Sequence, residues 1–127
     1  MFSHIMVGAN DIEASRKFYD ATLGALGAGP GTADDKGRVF YRTSTGTFAI
    51  TQPLNGEPAC GANGGTIGFS AASAEQADAW HAAGVAAGGV ACESPPGVRE
   101  MGAMKLYLAY LRDPAGNKLC ALCPVQD

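Results

Sequence analysis

The chain carries one local pattern twice, and this duplication limits its fold more than any other feature. An alternating apolar run, "SHIMVG", leads into a segment of helical period, "NDIEASRKFYDATLGALG"; further on, "TIGFSA" leads into "SAEQADAWHAAGVAAGG". A shift of 62 positions lays Ile5 on Ile67, Ala9 on Ala71, Glu13 on Glu75, Phe18 on Trp80 and Ala21 on Ala83. The identities are few, but strand falls on strand and helix start on helix start, the mark of a repeated supersecondary unit.

Both halves end alike. "RVFYRTS" and "TFAITQP" flank Thr45-Gly46 and are expected to form two strands joined by a tight turn. In the second half "GVACES" and "MKLYLAYLR" read as strands, "DPAGN" as a turn and "KLCALC" as the last strand. A shift of about 71 places Pro53 on Pro124 and Ala49 on Cys120, with the register uncertain by a residue. Each half is therefore strand, helix and three strands: module 1 over about 1–53, a linker over about 54–65 and module 2 over about 66–124. A β-α-β-β-β unit has too small a sheet to cover its helix and hide its edges, so two are expected to pair into a curved mixed sheet around a cleft, an α+β fold.

The helix starts are marked by side chains. Asn10 with Glu13, and Ser73 with Gln76, have capping-box spacing, and Gly88-Gly89 supplies a stop. In the first helix Ile12, Phe18, Tyr19, Leu23 and Leu26 fall along one side, with Glu13, Lys17 and Asp20 opposite, so that helix should lie on a sheet.

With 127 residues, 46% hydrophobic and 17% charged, the sequence suits one compact domain that buries roughly two-thirds of its unfolded surface. The formal net charge is -3 and the nine Lys and Arg are scattered, so neither nucleic acid nor an anionic membrane is expected as a partner. No apolar run approaches the roughly 20 residues of a membrane span, and Phe2 to Val7 is too short for a secretion signal, which points to the cytoplasm. Four cysteines, Cys60, Cys92, Cys120 and Cys123, are too sparse for a disulfide scaffold. Cys120 and Cys123 have C-x-x-C spacing but lie on a probable strand, where residues three apart face opposite ways, so a zinc or redox pair is not expected. Neither "GALGAGPG" nor "GANGG" lies between a strand and a helix as a phosphate-binding loop must. His81 beside Trp80 reads as a helix-packing residue, and Arg99-Glu100 after "SPPGV" as a mobile lip.

The segments "HIMVGANDIEASRKFYDATLG", "GGTIGFSAASAEQADAWHAAGVAAGG" and "YLAYLRDPAGNKLCALC", with the Asp113-Pro114-x-Gly116-Asn117 turn as the most specific piece, resemble the vicinal oxygen chelate superfamily over nearly the whole chain. That superfamily includes glyoxalase I, extradiol dioxygenases, fosfomycin-modifying enzymes and bleomycin-binding resistance proteins. The resemblance implies a divalent metal site fed by the first and last strands of each half. His4 stands where the family commonly has its first His. The Glu or His late in the first half falls on or beside Ala49, the His that begins the middle strand on Thr66, and the final Glu on Cys120. An imidazole and a thiol with no carboxylate are a poor set for an octahedral ion.

The expectation is therefore a glyoxalase-like protein that binds a small, partly hydrophobic organic molecule in the cleft, with its metal site degraded and no firm expectation of a cofactor. The ligand would touch His4, Thr66, Tyr107 and Cys120. The alternative is an active lyase-like or dioxygenase-like enzyme. It would use either an atypical metal set that includes His4, or metal-free acid–base chemistry on His4 and Cys120, for which imidazole and thiol are suited. Tyr107 and Tyr110 lie three apart on one strand, so only one can face the cleft, and Tyr41 and Phe48 pose the same choice in the first half. The resemblance also implies a homodimer.

Overall fold

The computed structural model describes residues 1–126 and shows how the repeat is built. Module 1 runs β1 (His4–Gly8), α1 (Ile12–Ala25), β2 (Thr32–Ala33), β3 (Val39–Thr43) and β4 (Gly46–Thr51). Module 2 runs β5 (Ile67–Ser70), α2 (Ala74–Ala86), β6 (Val90–Ala91), β7 (Gly97–Met101), β8 (Met104–Arg112) and β9 (Lys118–Pro124). The first ladder has the order β1-β4-β3-β2; the second has β5-β9-β8-β6, with β7 also on β8. In both, the strand before the helix pairs in parallel with the last strand of its module, β1 with β4 and β5 with β9, while the remaining pairs are antiparallel. The fold is the expected pair of β-α-β-β-β modules.

Local chemistry explains where the helices start and stop, with one correction. Asp11, not Asn10, caps α1: its backbone is extended and its side chain accepts the Ala14 N–H at 3.1 Å. Asn10 is engaged elsewhere, accepting from the Ala59 N–H at 2.6 Å and donating to the Ala59 carbonyl at 3.2 Å, which ties the linker to the start of α1. Two neighbouring residues could cap, and a contact 49 positions away decided between them. Ser73 caps α2 as expected, while the Gln76 side chain reaches back to the N–H of Ala72 rather than that of Ser73. Both helices end in the same way, with Gly27 and Gly88 in the left-handed region and the following N–H returning to Leu23 and Gly84.

Three strand expectations change. The β3–β4 turn is Ser44-Thr45, and Gly46 already belongs to β4. β6 is only Val90–Ala91, because the chain leaves the ladder at Cys92, where Glu93 takes a left-handed conformation before Pro95-Pro96. Arg99 and Glu100 are then not a mobile lip but part of β7, paired with Leu106 and Lys105. β6 and β7 occupy one edge of the long β8 and so act as a single interrupted strand, which preserves the three-strand plan of the module. β2, two residues long, is too short to leave a periodic signal.

The core lies between the helices and one face of each ladder. Phe18, Tyr19 and Leu23 of α1 meet Val39, Tyr41, Phe48 and Ile50, and Trp80 and Ala77 of α2 join Leu111, Leu119 and Ala121. The helices also pack on each other, and α2 comes so close that a Cβ on Gly84 would stand 2.3 Å from Leu111 Cδ1 and 3.1 Å from Phe18 Cε1. Among the described residues, no helix is long and apolar enough to cross a membrane.

A buried polar cluster joins the modules. Asp113, at the start of the β8–β9 turn, accepts from the Tyr19 hydroxyl at 2.5 Å, the Asn117 side chain at 2.8 Å and the N–H groups of Ala115 and Asn117, each at 2.9 Å. Asn117 also donates to the Gly8 carbonyl of β1 at 3.0 Å. Burial first, and then the adjacent Asp113 carboxylate, push the Tyr19 phenol well above its ordinary range, so it remains a donor. Replacing Asp113 with Ala strands several buried donors at once, whereas Tyr19→Phe removes one bond. In urea titrations Asp113→Ala should cost about 3 kcal/mol or more and Tyr19→Phe about 1 kcal/mol. Equal small losses would show that the cluster does not hold the modules together.

Candidate functional site

Strand periodicity divides each ladder into a helix-covered face and an open face. In β1, Ile5 and Val7 pack on the core, which leaves His4 and Met6 on the open face, and the parallel register sets Ala49 beside Met6. In module 2, Leu119, Ala121 and Cys123 face the core, so Cys120 lies on the open side, with Gly68 and Tyr110 as its register partners. The two cysteines of the C-x-x-C spacing therefore look in opposite directions. Thr66, exposed just ahead of β5, precedes that same side.

The aromatic choices left open by the sequence resolve. Tyr107 leans on the core side and donates to Asp78 of α2 at 2.6 Å, while Tyr110 shares the face of Cys120, with the Lys118 ammonium 5.2 Å from its ring centre. Tyr41 and Phe48 both face the core. The Tyr41 hydroxyl donates to Asp20 at 2.7 Å, and burial, reinforced by that carboxylate, raises its pKa far beyond the usual phenol range.

A pocket of about 620 Å³ is lined by the start of β1 and by the strand β5. His4 stands in its wall, sharing a 2.8 Å hydrogen bond with Ser3 through Nδ1. Leu23 and Leu26 at the end of α1 form an apolar side. Phe48 and Phe69 also line it and meet edge to face, with ring centres 5.3 Å apart. The β3–β4 turn, from Thr43 to Thr47, supplies a hydroxyl-rich rim. Of the residues anticipated from the sequence, His4 lines this pocket, as do both aromatics of the first-half choice, Tyr41 and Phe48. Thr66, Tyr107 and Cys120 do not. The hydroxyl rim and Phe69 were missed because they come from a turn and from a strand of the other module. The "TSTGT" stretch, with four hydroxyls in five residues, was the one signal available.

The residues at the four family ligand positions do not fit a divalent metal. Ala49 has no donor atom, Thr66 offers a weak hydroxyl, and burial raises the pKa of Cys120, which keeps it a protonated thiol although Lys118 opposes the shift. Among the described residues, no three His, Cys, Asp or Glu side chains are placed to hold an ion. A thiol raised in this way should react slowly. At neutral pH, iodoacetamide should label the exposed Cys60 well before the buried Cys120, which should label at a useful rate only in more alkaline solution or after unfolding. Peptide mapping of the labelled sites checks this order, and rapid labelling of Cys120 at pH 7 would restore it as a candidate nucleophile.

Comparison with known proteins agrees with this architecture. The model of the Glyoxalase/Bleomycin resistance protein/Dioxygenase superfamily matches residues 1–121. A glyoxalase/bleomycin resistance protein from Albidiferax ferrireducens T118 is 64% identical, with a TM-score of 0.93 over 96% of this chain and 98% of that one. Two more distant structures share the fold. A glyoxalase-related enzyme from Fulvimarina pelagi is 18% identical, with a TM-score of 0.72 over 96% of this chain and 86% of that one. A lactoylglutathione lyase from Agrobacterium tumefaciens is 23% identical, with a TM-score of 0.63 over 96% and 92%. No curated protein matches the chain. With its duplicated modules, its register and a match over nearly its whole length, the chain belongs to the Glyoxalase/Bleomycin resistance protein/Dioxygenase superfamily.

Proposed function

We propose that this protein binds a small, partly hydrophobic organic molecule in the pocket beside His4, that it does so without a metal because the family's ligand set has degraded to His4 alone, and that it works as a cytoplasmic homodimer. The observation that carries this reading is the pocket itself: about 620 Å³ of space with an aromatic wall and a hydroxyl rim. Pockets of this size that combine apolar walls with polar groups can bury a ligand's apolar body and orient it by its hydrogen bonds. Phe48, Phe69, Leu23 and Leu26 supply the apolar contact, and the His4 imidazole supplies a donor or acceptor at the edge of the pocket.

The metal-free part of the reading rests on the donor positions. Ala49 stands beside Met6 on the His4 face with nothing to offer a cation, and Cys120, buried and protonated, lies on the other ladder. The dimer rests on the family resemblance, and the open faces of the two ladders leave room for it.

Protein purified without added metal should contain no stoichiometric divalent ion by elemental analysis. In a thermal-shift screen of uncharged aromatic compounds, at least one class should raise the melting temperature. A ligand present at a hundred times its dissociation constant adds about 2.7 kcal/mol of stability, which is several degrees for a chain of this size. His4→Ala should weaken that binding. One equivalent of a divalent ion that disappears in His4→Ala would instead make this a metalloprotein and overturn the proposal.

A further inference from the structure

One strand of module 2 turns main-chain groups, rather than side chains alone, toward the pocket. β5 pairs only with β9, in parallel, so its other edge is free. Along a strand the N–H and C=O of one residue point to the same side, and the side alternates from residue to residue. Ala71 donates its N–H to the Leu122 carbonyl at 2.9 Å, so Phe69 and Ile67 also turn these groups toward β9. Gly68 and Ser70 turn theirs away from it. Ile67, Gly68, Phe69 and Ser70 all line the pocket, a run without alternation, as happens where a cavity follows the edge of a strand instead of one face. Gly68 can line it only through its main chain. Among the described residues, the outward groups of Gly68 and Ser70 have no hydrogen-bond partner.

Module 1 shows what chemistry such an edge takes. A shift of 62 lays Gly8 on Ser70; Gly8 is in register with Thr51 and Ser70 with Leu122, so the last strands superpose with a shift of 71, which lays Gly46 on Asn117. At the edge of β1 the Asn117 carboxamide donates to the Gly8 carbonyl at 3.0 Å. Its counterpart Gly46 has no side chain, and Gly46 and Ser70 both line the pocket. The chain thus supplies an amide donor of its own at one edge and none at the equivalent place on the other.

Resting on the reading that this pocket is the ligand site, we propose that its ligand is an extended diamide, two amide groups flanking one carbon that bears an apolar substituent. One amide N–H donates to the Ser70 carbonyl, as Asn117 does to Gly8, and the carbonyl of the other amide accepts from the Ser70 N–H. This is recognition by an added strand, in which main-chain hydrogen bonds hold the ligand and side-chain contacts select it. Leu23, Leu26 and Phe69 offer the apolar surface for the substituent.

The test follows the full chain by NMR, with N-acetyl-phenylalanine N-methylamide as probe and N-acetyl-phenylalanine methyl ester, which has an oxygen in place of one N–H, as its control. In the free protein the amide protons of Gly68 and Ser70 should exchange with solvent faster than those of Ile67 and Phe69. The diamide should shift the Gly68 and Ser70 amides saturably and slow exchange at Ser70, and the ester should bind about fivefold more weakly. Ser70→Pro removes the outward N–H on an edge strand, a place that accepts proline, and should weaken the diamide; if that variant does not fold, the ester comparison decides. Slow exchange at Gly68 and Ser70 in the free protein would mean that another strand, such as one from a second copy, already holds this edge, and would overturn the proposal. Equal binding of diamide and ester would do the same. Naphthol moving the amides that line the pocket when the diamide does not would overturn the diamide and leave the pocket reading intact. If neither probe moves them, both readings fail.

Discussion

The Asp113 carboxylate is the constraint on which the rest of the molecule depends. It is buried, and burying an unpaired charge costs several kcal/mol, so it persists only because four donors converge on its two oxygens. Two of those donors are backbone groups of its own turn, which fixes the turn. The third is the Asn117 side chain, whose amide also holds the Gly8 carbonyl, and the fourth is the Tyr19 hydroxyl from the other module. One carboxylate thus fixes the turn, the end of β1 and the inward face of α1 together. The apolar core shared by Tyr19, Phe48 and Phe69 would favour many relative placements of the modules; this polar cluster selects one.

That selection has a consequence at the opposite end of the molecule. Because the modules are related by pseudo-symmetry, the β8–β9 turn and the linker crowd the Gly8 end of β1, where a smaller pocket of about 460 Å³ remains, while the His4 end is left to its own turn. Ser44-Thr45 is too short to repeat the Asp113 arrangement, and the space it fails to fill becomes the pocket beside His4. The site thus follows from a difference in turn length between two copies of one unit. Duplication supplies the scaffold and divergence of a loop supplies the cavity, a division in which rigid elements position the variable segments that bind.

Much of this architecture was legible in the sequence because it is local. The repeat, both helices, the glycines that end them and the nine-residue β8 all follow from periodicity and cap chemistry. What failed was decided at long range. Asn10 and Asp11 are equally competent caps until Ala59 claims the first. β7 carries too little apolar alternation to announce itself and forms because β8 extends beyond the short β6 and offers a free edge. The face of His4 could be read from its strand, but whether Cys120 and Thr66 share its hollow depends on how two ladders are set against each other. No property of either strand encodes that placement. The "DPAGN" motif was visible as a turn; that its acid reaches Tyr19, 94 positions away, was not.

The same logic explains why the ligand positions of the family do not make a site here. A metal centre needs every donor at once, because a cation gains little from one imidazole and pays its dehydration in full. With Ala49 and Thr66 at two of the positions, the surroundings of the other two are set by packing rather than by a shared ion. Cys120 shows the outcome. Its thiol is enclosed beneath Gly68 and Tyr110, and the Lys118 ammonium that would favour the thiolate is itself held by Glu93 and by the Tyr110 ring. A residue so enclosed serves as a small apolar filler. His4 followed the other course, staying exposed at the mouth of the pocket, where a single neutral donor or acceptor still has a use. The poor fit of these four residues to a metal and the presence of a pocket beside His4 are thus compatible, since the pocket takes its other lining from the β3–β4 turn, α1 and β5 rather than from Ala49, Thr66 or Cys120.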